Sequence, residues 1–134
     1  MTSVPKPVII CVDDESSVLE SLKIQLRNAF ANDYSYEMAE SADEALELIA
    51  ELQQHQNIIL VIVSDWLMPG IKGDELLIKI HQLFPHTVKV MLTGQANDDA
   101  IQRAIDEAGL YACLSKPWDS KELISTIKSG LEKL

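Results

Sequence analysis

Apolar residues in this chain follow two rhythms in turn: short unbroken runs, then longer stretches that beat every three to four residues. The first run, Val8-Ile9-Ile10-Cys11-Val12, stops on Asp13-Asp14-Glu15. Another, residues 58–63, is followed by Ser64 and Asp65 before the chain breaks on Trp66-Leu67-Met68-Pro69-Gly70. Bulky apolar runs this short predict strands buried on both faces, and the Pro-Gly that follows predicts a turn. Residues 87–92 and 111–114 predict two more strands, and the alternating segment 34–39 a weak, short one.

Helical windows lie between them. Residues 15–30 place Val18, Leu22, Leu26 and Phe30 on one face at i+4 spacing. Ser41-Ala42-Asp43-Glu44 is a capping box that opens a helix carrying Ala45, Ile49 and Leu52. A third helix, 73–84, has Leu76, Leu77, Ile80, Leu83 and Phe84 as its stripe and is stopped by Pro85. The fourth, 97–108, offers only Ala100, Ile101, Ala104 and Ile105 before Gly109. The fifth runs from Asp119 with Leu123, Ile124, Ile127, Leu131 and Leu134 facing inward.

Strand-helix units in this alternation predict an α/β fold, a doubly wound parallel sheet of five strands with helices on both faces. Right-handed crossovers limit the topology, and the flavodoxin-like (βα)5 order 2-1-3-4-5 sets strands one and three side by side at the switch point. In that order Cys11 and Cys113 stand three sheet spacings apart, about 14 Å, too far for a disulfide. Residues 1–134 read as one domain, long enough to bury a sizeable core.

Composition narrows the function classes. Eleven Lys+Arg against 21 Asp+Glu give a formal net charge of -10. That balance argues against direct binding to nucleic acid or anionic lipid, and it suits a site that holds a cation. No apolar run approaches a membrane span, and the first residues lack the basic patch and apolar core of a signal peptide, so a cytoplasmic location is expected. His55, His81 and His86 show no metal-ligand spacing and read as ordinary surface histidines.

The chemistry-bearing residues sit where the apolar runs end. Asp13 and Asp14 follow the first strand and Asp65 the third; Thr93-Gly94 follows the fourth, and Lys116-Pro117 the fifth. A parallel sheet brings all of these out at one edge. Three carboxylates, a hydroxyl and an ammonium make no Ser/His/Asp triad, but they suit the handling of a phosphoryl group. Clustered carboxylates repel one another and call for a cation. Mg²⁺ takes oxygen ligands from one or two carboxylates, waters and phosphate, so Asp13, Asp14 and Asp65 are its candidate ligands. Asp65 is the candidate oxygen nucleophile, with Lys116 and Thr93 placed to stabilise phosphoryl oxygens.

Val12-Asp13-Asp14-Glu15, Ser64-Asp65-Trp66-Leu67-Met68-Pro69-Gly70, Met91-Leu92-Thr93-Gly94 and Ser115-Lys116-Pro117-Trp118, in this order, resemble the receiver domain of two-component response regulators, the CheY-like family. The resemblance covers nearly the whole chain. It implies that Asp65 is the phosphoacceptor, supplied by a histidine kinase or a histidine phosphotransfer protein, with Mg²⁺ (or Mn²⁺) as cofactor. It further implies that Asp13 and Asp14 are the acidic pair, that the Leu67 backbone carbonyl ligates the metal, and that Lys116 binds phosphate. Thr93 becomes the switch hydroxyl, and the Lys116–Pro117 bond is expected to be cis. Output is expected through the face of helix four, strand five and helix five, by homodimerisation or by docking an effector domain. The last helix reaches residue 134 with no Gly or Pro stop, as in a piece that leads into such a C-terminal domain.

Cys113 stands where the family usually has its aromatic switch residue, and Tyr111, two residues earlier on a strand, is expected on the same face. Either Tyr111 replaces that aromatic in part, or coupling runs through Thr93 and helix four without one. Leu67 and Gln95 flank the site at positions that influence attack by water on an acyl phosphate; an apolar Leu67 predicts slow self-dephosphorylation. The chain is thus expected to be a signalling domain and not a turnover enzyme. A phosphatase of the haloacid-dehalogenase type would carry an Asp where Leu67 stands, and a degenerate receiver would lack one of the acids, Thr93 or Lys116.

Overall fold

The computed structural model describes residues 6–94 and 98–134. Five strands, β1 (Val8–Val12), β2 (Ser35–Ala39), β3 (Ile59–Asp65), β4 (Val88–Thr93) and β5 (Ala112–Ser115), form one parallel sheet in the order β2-β1-β3-β4-β5. Helices α1 (Ser16–Phe30), α2 (Ala42–Gln54), α3 (Gly73–Leu83), α4 (Asp98–Ala108) and α5 (Ser120–Glu132) connect and follow them. The unbroken run of β1 is explained by its place: every residue is buried, because each face of the sheet carries its own apolar cluster. Ile10, Val12, Ile62 and Met91 pack under α2, α3 and α4. Ile9, Cys11, Val61, Val63 and Leu92 pack under α1 and α5.

Local signals act as their chemistry requires. Ser41 Oγ accepts the Glu44 N–H at 3.0 Å and caps α2, while Asp119 accepts the Lys121 N–H at 2.8 Å and caps α5. The two cysteines are free, and the Lys116–Pro117 bond is cis. The start of the fourth helix expected at Asn97 lies outside the described residues.

Several boundaries and faces differ from the periodic reading. β3 begins at Ile59 and extends through Ser64 to Asp65; Ile58 precedes it and is 61% exposed. On α1 the buried stripe is Leu19, Leu22, Leu26 and Phe30, with Val18 at its margin. Leu83, Ile105 and Leu134 point outward, because α3 ends at Leu83, α5 ends at Glu132, and the inner face of α4 is filled by Ala104 and Ala108. A lysine, Lys89, lies fully buried inside β4.

Candidate functional site

Backbone pairing carries the strand ends to one edge. Asp65 pairs in register with Leu92, Val12 with Ser64, and Thr93 with Ser115. Hydrogen bonds continue one residue past each strand: Asp13 N–H to Ala39 O (3.1 Å), Trp66 N–H to Leu92 O (3.0 Å) and Lys116 N–H to Thr93 O (3.0 Å). The side chains of Asp13, Asp65, Thr93 and Lys116 are therefore delivered by rigid sheet, not by loops. Together with Asp14 they line or adjoin a cleft of about 490 Å³ that is also bordered by Glu15, Leu67, Met68 and Gly94.

Inside it, Asp13, Asp14 and Asp65 each offer a carboxylate oxygen within 4.8 Å of the others. Lys116 Nζ lies 2.7 Å from Asp13 Oδ2 and 3.2 Å from Asp65 Oδ1. Asp13 is wholly buried, and its other oxygen accepts the Glu15 N–H at 2.9 Å. Burial raises the Asp65 carboxyl above its usual range; the Asp13 charge adds to this and Lys116 works against it. For Lys116, burial alone would lower the ammonium, but its hydrogen bond to Asp13 and the charges of Asp13 and Asp65 leave it raised.

The donor set fits a small, hard divalent cation. Three carboxylates face one ammonium, so two negative charges are left to be balanced, and all the ligand atoms are oxygens. The loop after Asp65 is closed by Gly73, whose N–H donates to Trp66 O at 2.9 Å. A Cβ on Gly73 would stand 2.2 Å from the Asp65 carbonyl oxygen, so only glycine lets α3 start this close to the site. Sequence reasoning passed over this residue; its signal was a glycine opening a helix directly after the Pro-Gly turn.

Asp13, Asp14, Asp65 and Lys116 meet there, Thr93 ends the neighbouring strand β4, and Leu67 stands at the lip, 45% exposed. Gln95 lies outside the described residues. The placement of Tyr111 departs from expectation. Cys113 packs against the cluster under α3 and α4, whereas Tyr111 packs against the opposite cluster under α5. Its hydroxyl is 2.6 Å from Ser129 Oγ, and Lys133 Nζ sits 5.2 Å from its ring centroid. Strand alternation fails between the two residues because β5 starts only at Ala112, just past the turn at Gly109, where φ is +62°.

The family model of the response regulator receiver domain matches residues 9–128. The hydrogenase transcriptional regulatory protein HoxA of Cupriavidus necator is 31% identical over 124 residues, 92% of this chain and 24% of that protein. The chain thus spans about a quarter of the hydrogenase regulators it matches. The chemotaxis protein CheY-3 of Vibrio cholerae is 29% identical over 128 residues, covering 94% of this chain and 89% of that one. Among solved structures, the signal receiver domain of an HD domain-containing protein from Pseudomonas fluorescens Pf-5 superposes with a TM-score of 0.84 at 33% identity, over 96% of both chains. A CheY-like receiver domain protein from Methanospirillum hungatei JF-1 gives 0.83 at 30%, over 96% of this chain and 95% of that one. A family model spanning nearly the whole chain and solved receiver domains that superpose over 96% of it lead to one conclusion: this chain belongs to the response regulator receiver domains of two-component systems.

Proposed function

We propose that Asp65 is the phosphoacceptor of this receiver domain, taking its phosphoryl group from the phosphohistidine of a kinase or phosphotransfer protein. An Asp65 carboxylate oxygen attacks phosphorus and forms the O–P bond. The P–N bond breaks, and the imidazole leaves with its electron pair and takes a proton. Lys116, already in contact with Asp65, follows the new charge, and the Thr93 hydroxyl hydrogen-bonds a phosphoryl oxygen. Asp13, Asp14, Asp65 and the Leu67 carbonyl would hold Mg²⁺ or Mn²⁺, which when bound neutralises charge on the carboxylates and the phosphoryl oxygens. The observation that carries this reading is the Lys116 ammonium held at 2.7 Å from buried Asp13 and 3.2 Å from Asp65, at the end of strands fixed in register.

Phosphorylation adds up to two negative charges at the sheet edge and shifts a two-state equilibrium of the domain. With Cys113 in place of an aromatic and Tyr111 turned toward α5, we assign the coupling to Thr93 and α4. Output then uses the α4-β5-α5 face, for a second copy or an effector domain. We read residues 1–134 as one receiver unit of a cytoplasmic regulator; the chain spans 24% of the hydrogenase regulator HoxA, in which such a unit is part of a longer protein, and 89% of CheY-3. Apolar Leu67 gives the acyl phosphate a long life and leaves no turnover on external phosphomonoesters.

Intact-mass analysis after incubation with acetyl phosphate and Mg²⁺ tests the assignment. One added phosphoryl group that requires Mg²⁺ and is lost in Asp65→Asn is the expected result. No adduct under conditions that preserve acyl phosphates would make this a degenerate receiver.

A further inference from the structure

Among the described residues, two side-chain hydrogen bonds join the segment leaving β5 to the first strand-helix unit. One runs inside the cleft, from Lys116 Nζ to Asp13 Oδ2 at 2.7 Å. The other runs from Trp118 Nε1 to Gln25 Oε1 on α1, at 2.8 Å. Gln25 stands nine residues, about 14 Å, along α1 from Ser16. The second bond therefore grips α1 well down the helix, yet Trp118 is only two residues beyond Lys116.

Lys116 stands in need of such a grip. Its ammonium reaches the site on a flexible four-carbon stem, so its position depends on how firmly the backbone at its root is held. The ladder of β5 ends with the Lys116 N–H on Thr93 O at 3.0 Å, and α5 starts only at Ser120. Between them, Pro117 and Trp118 make no backbone hydrogen bond among the described residues. What anchors this segment is the Trp118 side chain, by its bond to Gln25 and by the packing of its ring against the cluster under α1 and α5.

We propose that Trp118 is a positioning residue for phosphoryl transfer: through Gln25 it fixes the backbone that carries Lys116, and so keeps the ammonium on Asp65. This rests on the reading of Asp65 as the phosphoacceptor. A divalent cation and the Lys116 ammonium draw on the same carboxylates, Asp13 and Asp65. A looser Lys116 thus slows transfer without weakening the cation, whereas general damage to the site weakens both.

The test measures the rate of labelling by acetyl phosphate and, with no phosphodonor present, the Mg²⁺ Kd from ¹H–¹⁵N correlation spectra. Trp118→Phe keeps an aromatic ring and loses the N–H; Gln25→Met keeps a good helix former and loses the acceptor. Each slows labelling about three- to fivefold, the worth of one hydrogen bond, and leaves the Mg²⁺ Kd unchanged or lower. The double variant is no slower than either single one, because both remove the same bond. Gln25→Glu still accepts the indole N–H and labels within about twofold of wild type. Single variants that label at the wild-type rate, or a loss of rate matched by an equal rise in the Mg²⁺ Kd, overturn the proposal and leave Asp65 in its role. No adduct on the wild type overturns the reading of Asp65, and the proposal with it.

Discussion

Replacing Gly73 with alanine puts a methyl group where backbone already sits. Its Cβ would lie 2.2 Å from the Asp65 carbonyl oxygen, 2.8 Å from Trp66 Cα and 3.0 Å from the Asp65 carbonyl carbon. No side-chain rotation relieves contacts with backbone, so the first turn of α3 must retreat from β3 by about 1 Å. That retreat loses the 2.9 Å bond from Gly73 N–H to Trp66 O, worth about 1 kcal/mol, and overpacking adds about 1–3 kcal/mol. The better helix propensity of alanine returns at most about 1 kcal/mol. The net loss is about 1–3 kcal/mol. With an unfolding entropy of about 2.1 cal/mol/K per residue over 134 residues, Tm falls by about 4–11 °C. Because the clash falls on Asp65 itself, the rate of labelling by acetyl phosphate falls with it. Gly94→Ala is the control: its Cβ meets Lys116 only at 3.8 and 3.9 Å, and its Tm stays within about 2 °C of wild type. Calorimetric melts and mass-detected labelling decide the matter. A Gly73→Ala protein that melts within about 2 °C of wild type and labels at the wild-type rate refutes the argument.

Three further outcomes follow from the charged groups and the cleft. Burial pulls Lys89 from 10.5 to about 8, so the unfolded chain binds more protons between those values, and this group's contribution to stability rises with pH there. Urea midpoints at about pH 7 and about pH 10 should show wild type gaining on Lys89→Met; a gap independent of pH refutes this. Asp65 is raised above 3.8 by burial and then by the Asp13 charge, so its ionised form opposes folding. Asp65→Asn is therefore more stable than wild type above the raised pKa, and the gain fades as pH falls through it and is gone below 3.8. Melts showing no gain at neutral pH would sink that reasoning. Leu67→Asn supplies an amide that can orient water at the cleft lip and shortens the life of the acyl phosphate; an unchanged decay rate counts against the role given to Leu67.

Residues buried on both faces of a sheet must be apolar without interruption, which is why 8–12 and the core of 58–63 were legible as central strands. The site was legible for a related reason. Once the strands are parallel, whatever polar residue ends each run emerges at one edge, and Asp13, Asp65, Thr93 and Lys116 do so. Less was readable where a neighbour's extent decides the outcome. A periodic stripe names the face of a helix but not how far the covering element reaches, so Leu83 and Ile105 read as core and are exposed. Lys89 was hidden inside an apolar run, since nothing local reveals that carbonyls of Pro85 and Thr87 wait for its ammonium. Gly73 was visible as a letter, but its contact with Asp65 belongs to the tertiary structure.

Tyr111 marks the limit of the alternation rule and bears on how the domain would signal. Parity between residues two apart holds only while both are in the strand, and β5 begins after Tyr111. Its amide still pairs with Lys89 O at 2.8 Å, but the ring turns to α5, where Ser129 and Lys133 hold it. On the other face, the position beside α4 belongs to the small Cys113 side chain. Two aromatics pack against that same cluster, Phe84 and Trp66; Trp66 is adjacent to Asp65, its buried Nε1 has no hydrogen-bond partner among the described residues, and Lys72 Nζ lies 5.0 Å from its ring centroid. If Asp65 carries phosphate as proposed, a shift of Thr93 toward it meets little steric resistance from the small Cys113 side chain of β5. The equilibrium of α4 then rests on its own contacts, among them the Arg103–Asp74 ion pair at 3.5 Å to α3. Arg103 is half exposed but Asp74 is buried, so solvent screens the pair on one side only and any movement of α4 must work against it.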